Sequence, residues 1–188
     1  MLAESDHRIA AIFLRENVGQ HRAILAGLKQ VQTAQAVVLD GDLQDRPESI
    51  PALLNALGRA EVAFAQRRPP ASPGSALLKG LFRLASRGRL PARVGTNVAL
   101  GPRALQVLCA VENPDPHLVG LLALSGLSLT AVPVQRDASS GPSSYNLRRR
   151  VLLGLRALRG SGLLPWLPLL VKPRPLEVSS RTGWLAEE

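Results

Sequence analysis

Residues 37–48 read Val-Val-Leu-Asp-Gly-Asp-Leu-Gln-Asp-Arg-Pro-Glu (VVLDGDLQDRPE). With Ala36 before it, Val37-Val38-Leu39 forms a short unbroken apolar run that stops abruptly in acid, the pattern of a strand buried on both faces. Pro47 and Pro51 stand where a helix start tolerates proline, and Ile50, Leu53, Leu54 and Leu57 make an apolar stripe closed by Gly58. Asp40 and Asp42 therefore fall at the carboxyl end of a buried strand, where open α/β sheets bind ligands. Two carboxylates one residue apart, in a turn that Gly41 lets tighten, suit one hard divalent cation. Such an ion keeps open positions for water and phosphate oxygens, and it takes up negative charge from a departing diphosphate. Gln44 adds an amide oxygen or a water-mediated contact. An isolated Asp-Gly-Asp reads as an acidic loop that merely solvates a strand end; the strand before it and the proline-started helix after it make this string more specific.

Outward from this stretch, the pattern alternates. Residues 8–14 (RIAAIFL) are a short apolar run, Asn17-Val18-Gly19 is turn-like, and residues 20–32 carry Ala23, Ile24, Gly27, Leu28 and Val31 at helical spacing. Val62–Ala65 is a further strand. Strand, helix, strand, helix, strand predicts right-handed crossovers and a mainly parallel sheet flanked by helices. Residues 67–74 (RRPPASPG) read as a loop, and Ser75 caps a helix whose apolar face is Leu77, Leu78, Leu81, Phe82, Leu84 and Ala85. A strand is predicted over 98–100, helices over 102–111 and 118–124, and a last strand over 127–134. Residues 138–144 form a loop, 146–159 a basic helix, and the Pro/Gly-punctuated segment 160–188 a tail appended to the α/β domain of residues 1–159.

Composition narrows the function classes. The 188 residues are 46% hydrophobic, too apolar for a disordered chain, and a single cysteine, Cys109, excludes a disulfide framework or a multi-cysteine zinc site. Cys109 shares an apolar helix face with Leu105 and Leu108, as a buried structural thiol would. His7, His21 and His117 share no metal-ligand spacing. The net charge of +9 is uneven: no acidic side chain falls between Glu61 and Glu112. Such a block attracts polyanions: nucleic acid, anionic lipid or a phosphorylated substrate. Aromatic residues are too few, at 3%, to stack single-stranded bases, so no specific nucleic-acid partner is expected. The uncharged stretch 118–135 is diluted by Gly120, Gly126 and Pro133, and reads as a helix followed by a strand rather than a membrane span. A reducing, intracellular compartment is the expectation.

VVLDGDLQDRPESIPALL (37–54) resembles the metal-binding segment of family 2 glycosyltransferases, and is most similar to the polyprenyl-phosphate group that contains dolichol-phosphate mannose synthase. RENVGQHRAILAGL (15–28) resembles the Asn-x-Gly loop and helix that precede that segment. Val98-Ala99-Leu100-Gly101-Pro102-Arg103 resembles a strand-plus-arginine element, Ala131-Val132-Pro133-Val134 a late strand, and SSGPSSYNL (139–147) a Gly-x-Ser-x-Tyr loop before a basic helix. The likeness covers residues 8–155.

The resemblance implies a nucleotide-diphospho-sugar transferase (GT-A-like) fold that begins here after the family's first strand. It implies that Asp40 and Asp42 are the catalytic Asp-x-Asp pair, binding Mg²⁺ or Mn²⁺ with Gln44. Asn17, Gly19, Asp40 and Gly41 are implied to meet the nucleotide-sugar donor, and Arg67, Arg68, Ser143 and Tyr145 the acceptor phosphate, a role suited to guanidinium groups. Asn97 stands where the family usually has an aspartate. The expectation is a metal-dependent glycosyltransferase that moves sugar from a nucleotide-sugar donor to a polyprenyl phosphate, peripheral on the inner, cytoplasmic face of a membrane. The alternative is a non-catalytic module of the same fold that binds anionic membrane surfaces or other polyanions.

Overall fold

The computed structural model describes residues 5–42, 44–67, 80, 82–113, 115–135, 155–163 and 177–182. In chain order these form β1 (Ala11–Leu14), α1 (Gln20–Leu28), β2 (Ala36–Val38), a 3₁₀ turn (Pro47–Ser49) leading into α2 (Ile50–Ala56), β3 (Val62–Arg67), β4 (Val98–Leu100), α3 (Pro102–Cys109), α4 (Leu118–Leu124), β5 (Leu129–Val134) and β6 (Val178–Thr182). Residues 82–85 and 155–160 are also helical.

The main sheet has the order β2-β4-β3-β5. β4 runs antiparallel to both β2 and β3, while β3 and β5 are parallel. β2, β3 and β5 share one direction, but the inverted β4 lies between β2 and β3, so two of the three ladders are antiparallel and the sheet is mixed rather than mainly parallel. Alternation along the strands sorts the side chains onto two faces. Val62, Phe64, Val98 and Leu100 meet Leu25 and Leu28 of α1, Leu105 and Leu108 of α3, Leu118 and Leu122 of α4, and Phe82. Ala63, Ala65, Ala99 and Val134 lie on the other face with Leu53 of α2. Full burial of each large side chain contributes about 1.5–3 kcal/mol, and Phe64, Phe82, Leu53, Leu100, Leu108, Leu118 and Leu122 are all fully buried.

α4 approaches its neighbours so closely that a Cβ on Gly120 would strike Phe82 and the Ser161 side chain. A glycine is required there by contact, not by backbone conformation. The approach is anchored by Asp115 just before α4, which takes two hydrogen bonds from Arg156, 2.9 Å from Nε and 2.6 Å from Nη2. The same pairing raises the Arg156 pKa above its usual value.

Four expectations are corrected here, the mainly parallel sheet being the first. β1 does not join the main sheet: it pairs antiparallel with β6, Ala11 opposite Thr182. The Arg15 N–H bonds the Glu177 carbonyl at 2.9 Å, and its guanidinium meets the Glu177 carboxylate at 2.6 Å. The expected tail therefore supplies a strand. An apolar run announces a strand but not its partner, and the backbone groups of β1 are satisfied by the one that arrives. Leu84, expected on an apolar helix face, is 77% exposed. Cys109 is only half-buried, its thiol 3.6 Å from the Leu28 carbonyl oxygen. The helix start at Ser75, the loop 138–144 and most of the basic helix 146–159 lie outside the described residues.

Candidate functional site

The antiparallel register of β2 and β4 sets Val38 opposite Val98. The chain leaving β2 must then meet the chain entering β4, and Asp40 meets Thr96: the Thr96 hydroxyl donates to Asp40 Oδ1 at 3.0 Å. A second donor reaches the same oxygen from the first residue of α1, Gln20 Nε2 at 2.7 Å. Gln20 is placed by the turn before it. The Gly19 N–H bonds Asn17 Oδ1 at 3.0 Å, and Gly19 sits at φ 87°, a left-handed conformation that favours glycine.

The loop after β2 is organised by its own carboxylates. The Asp40 N–H donates to Oδ2 of buried Asp45 at 3.3 Å, and the Gln44 N–H donates to Asp42 Oδ1 at 3.1 Å, a local Asx turn. Asp40 is half-buried and Asp42 exposed. The carboxyl ends of the three co-directional strands and the amino end of β4 collect at this one edge of the sheet. Arg67, the last residue of β3, is paired there with Val134. Asp40, Gly41, Asp42 and Gln44 thus share one loop, Asn17 and Gly19 lead into the helix that touches it, and the backbone of Arg67 belongs to the same edge. Arg68, Ser143 and Tyr145 lie outside the described residues.

The donor set fits a hard cation. Carboxylate oxygens and an amide are the ligands Mg²⁺ and Mn²⁺ favour, and Mg²⁺ is commonly held by one or two carboxylates with substrate phosphates completing its shell. No group of three or more His, Cys, Asp or Glu among the described residues forms a closed metal cage. Among the described residues, cavities lie elsewhere. One of about 660 Å³ is walled by Ile12 and Leu14 of β1 and Ala23 and Ala26 of α1; one of about 410 Å³ lies at the opposite sheet edge beside Glu61 and Arg103. Glu61 accepts from the Ser128 N–H at 2.7 Å, which holds its carboxyl below the usual range, with further help from the Ser128 hydroxyl and Arg103.

Sequence reading missed Gln20 and Thr96 as partners of Asp40. Gln20 had a usable signal, since it directly follows the Asn-x-Gly turn that starts α1. Thr96 had none, because its place depends on which strand β4 joins. Two further features emerge only in three dimensions. Asn97, next to Thr96, is 2% exposed, and its side-chain amide meets no partner among the described residues. His21 and His117, 96 positions apart, bring their ring centroids to 4.6 Å, and His117 stacks on Phe82. His117 Nδ1 accepts the Gly120 N–H at 3.0 Å and so caps α4. His21 Nδ1 is buried without a partner among the described residues, and burial pushes its pKa below the usual value.

The sequence model described as "Glycosyl transferase family 2" matches residues 1–94. The chain belongs to that family. Its α/β sheet, with a carboxylate pair at a strand's carboxyl end, is accordingly of the nucleotide-diphospho-sugar transferase (GT-A) kind. Among individual proteins, the chain is similar to the undecaprenyl-phosphate 4-deoxy-4-formamido-L-arabinose transferase of Shewanella sediminis (strain HAW-EB3), with 42% identity over 62 residues, 33% of this chain and 18% of that protein. The enzyme of the same name from Yersinia pestis (strain Pestoides F) is 48% identical over 52 residues, 28% of this chain and 16% of the relative. That from Pseudomonas fluorescens (strain SBW25) is 44% identical over 63 residues, 32% and 18% of the two chains. The matched part of this family 2 chain thus spans less than a fifth of the length of these curated relatives.

Proposed function

We propose that this chain acts in glycosyl transfer from a nucleotide-sugar donor to a polyprenyl phosphate. The observation that carries the reading is the pairing of an Asp-Gly-Asp loop at the carboxyl end of β2 with relatives named as undecaprenyl-phosphate sugar transferases. Asp40 and Asp42 hold Mg²⁺ or Mn²⁺, with Gln44 assisting. When bound, such an ion offsets the charge of the donor diphosphate as the sugar bond breaks. Asn17, Gly19 and Gly41 bring backbone close to the donor. Arg67, Arg68, Ser143 and Tyr145 are assigned to the acceptor phosphate, for which guanidinium forks are well shaped. The acceptor phosphate oxygen forms the new bond to the sugar carbon while the bond to the diphosphate breaks. An ionised phosphate is already a nucleophile, so the step requires no protein base.

The basic second half of the chain suits a peripheral position on an anionic membrane face, the inner, cytoplasmic one in this reading. Among the described residues no helix is long and apolar enough to cross a membrane. The test is transfer of radiolabelled sugar from nucleotide donors to undecaprenyl phosphate, beside metal-dependent nucleotide binding. Asp42→Ala should abolish that binding with little change in Tm, because Asp42 is exposed. An intact chain that binds Mn²⁺ yet transfers nothing overturns the catalytic reading. Salt-sensitive binding to anionic vesicles without nucleotide binding replaces it with the non-catalytic one.

A further inference from the structure

Two donors to Asp40 come from parts of the chain 76 residues apart and converge on a single oxygen: Gln20 Nε2 at 2.7 Å and Thr96 Oγ1 at 3.0 Å. Both are uncharged. An amide and a hydroxyl fix the carboxylate's orientation without themselves bringing an opposing charge to it. The supports are of different kinds. Thr96 is buried at the entrance to β4 and held by the β2–β4 register, whereas Gln20 is exposed at the start of α1. A hydrogen bond to a charged carboxylate contributes about 1.5–3 kcal/mol, and less where the donor is exposed as Gln20 is; what both donors also do is fix which way the Asp40 carboxylate faces.

We infer that Gln20 and Thr96 are positioning residues that hold the Asp40 carboxylate in the orientation needed to bind a divalent cation. The inference rests on the metal reading above. Residues that orient a metal-binding carboxylate without touching the ion typically change affinity 10–100-fold when removed. Because the two share one oxygen, their effects couple and are not additive.

The experiment is Mn²⁺ titration of the full chain, with free Mn²⁺ followed by electron paramagnetic resonance and Tm recorded in parallel. Gln20→Met and Thr96→Val keep side-chain volume and remove the donor; Thr96→Ser keeps the hydroxyl. The expected result is about tenfold weaker Mn²⁺ binding for each of the first two, near-native binding for Thr96→Ser, and a double variant whose loss departs from the product of the two single losses. Wild-type affinity in both Gln20→Met and Thr96→Val overturns the inference and leaves the metal reading standing. A wild-type chain that binds no Mn²⁺ overturns both. Affinity lost only where Tm collapses also overturns it, and Gln20→Met is the decisive variant because an exposed side chain puts little of the fold at risk.

Discussion

Leu53 is the side chain on which the α2 face of the sheet depends. It is fully buried, and its buried neighbours there are Ala63, Ala65, Ala99 and Val134. Three of these four are alanines, which have no rotamers with which to fill a space. Leu53→Ala therefore removes the transfer free energy of a fully buried leucine, about 1.5–3 kcal/mol, and leaves a cavity that the opposing strands cannot close. Leucine-to-alanine substitutions in cores span about 2.7–5 kcal/mol, with the larger losses where collapse is least possible. The expected loss here is in the upper part of that range, about 4 kcal/mol, out of a total of roughly 5–15 kcal/mol for a folded domain. For a chain of this size that is a fall in Tm of about 8–16 °C. Chemical denaturation at 25 °C, following far-UV circular dichroism, measures it directly. Leu54→Ala, one residue on and only half-buried, is the control and should cost about 1 kcal/mol. A loss below about 2 kcal/mol for Leu53→Ala, or equality with the control, refutes the claim that Leu53 is the main buried contact on this face, beside partly buried Val37, Leu57 and Val132.

Gly120→Ala drives a methyl group into Phe82 and Ser161, and should lower stability by about 1–3 kcal/mol in thermal unfolding; a neutral result means that α4 is not packed this tightly. Asn97→Leu removes a buried amide with no partner among the described residues, and should raise stability by about 1–3 kcal/mol at most; a fall in Tm means that the amide is paired. His21 resists protonation because it is buried, although Asp115 and Asp40 favour the charged form and Arg156 opposes it. The unfolded chain takes up this proton as pH falls through about 6.5 while the folded chain does not, so stability falls below that pH and levels once the folded form also protonates. Denaturation midpoints between pH 8 and 5 should show this loss in the wild type and a flatter profile in His21→Leu; identical profiles refute the assignment.

Much of the fold was legible in order and kind. Val98–Leu100 and the helix Leu118–Leu124 have the limits that apolar patterning predicts, and Pro47 and Gly58 bracket the turn and helix between β2 and β3. These are local signals: period, proline and glycine act within a few residues of where they stand. The candidate site was legible in the same way and to the same extent. Asp40, Asp42 and Gln44 could be placed together in one loop because strand, acidic turn and helix follow one another along the chain.

What remained hidden was every pairing over distance. Nothing in residues 8–14 says that β1 is completed by β6 rather than by the main sheet, because backbone hydrogen bonds carry no sequence label. The same holds for the inverted strand β4, whose register brings Thr96 to Asp40 from 56 positions away, and for His21 and His117, which meet only because α1 and α4 pack on the same face of one sheet. The amino-acid sequence by itself determined which groups could do chemistry, since residue type and local spacing set charge, ligand hardness and backbone conformation. Tertiary structure alone decided which neighbours orient those groups, because orientation depends on chain segments brought together by burial of apolar surface, which is non-directional and leaves the choice of partner to the packing of the whole.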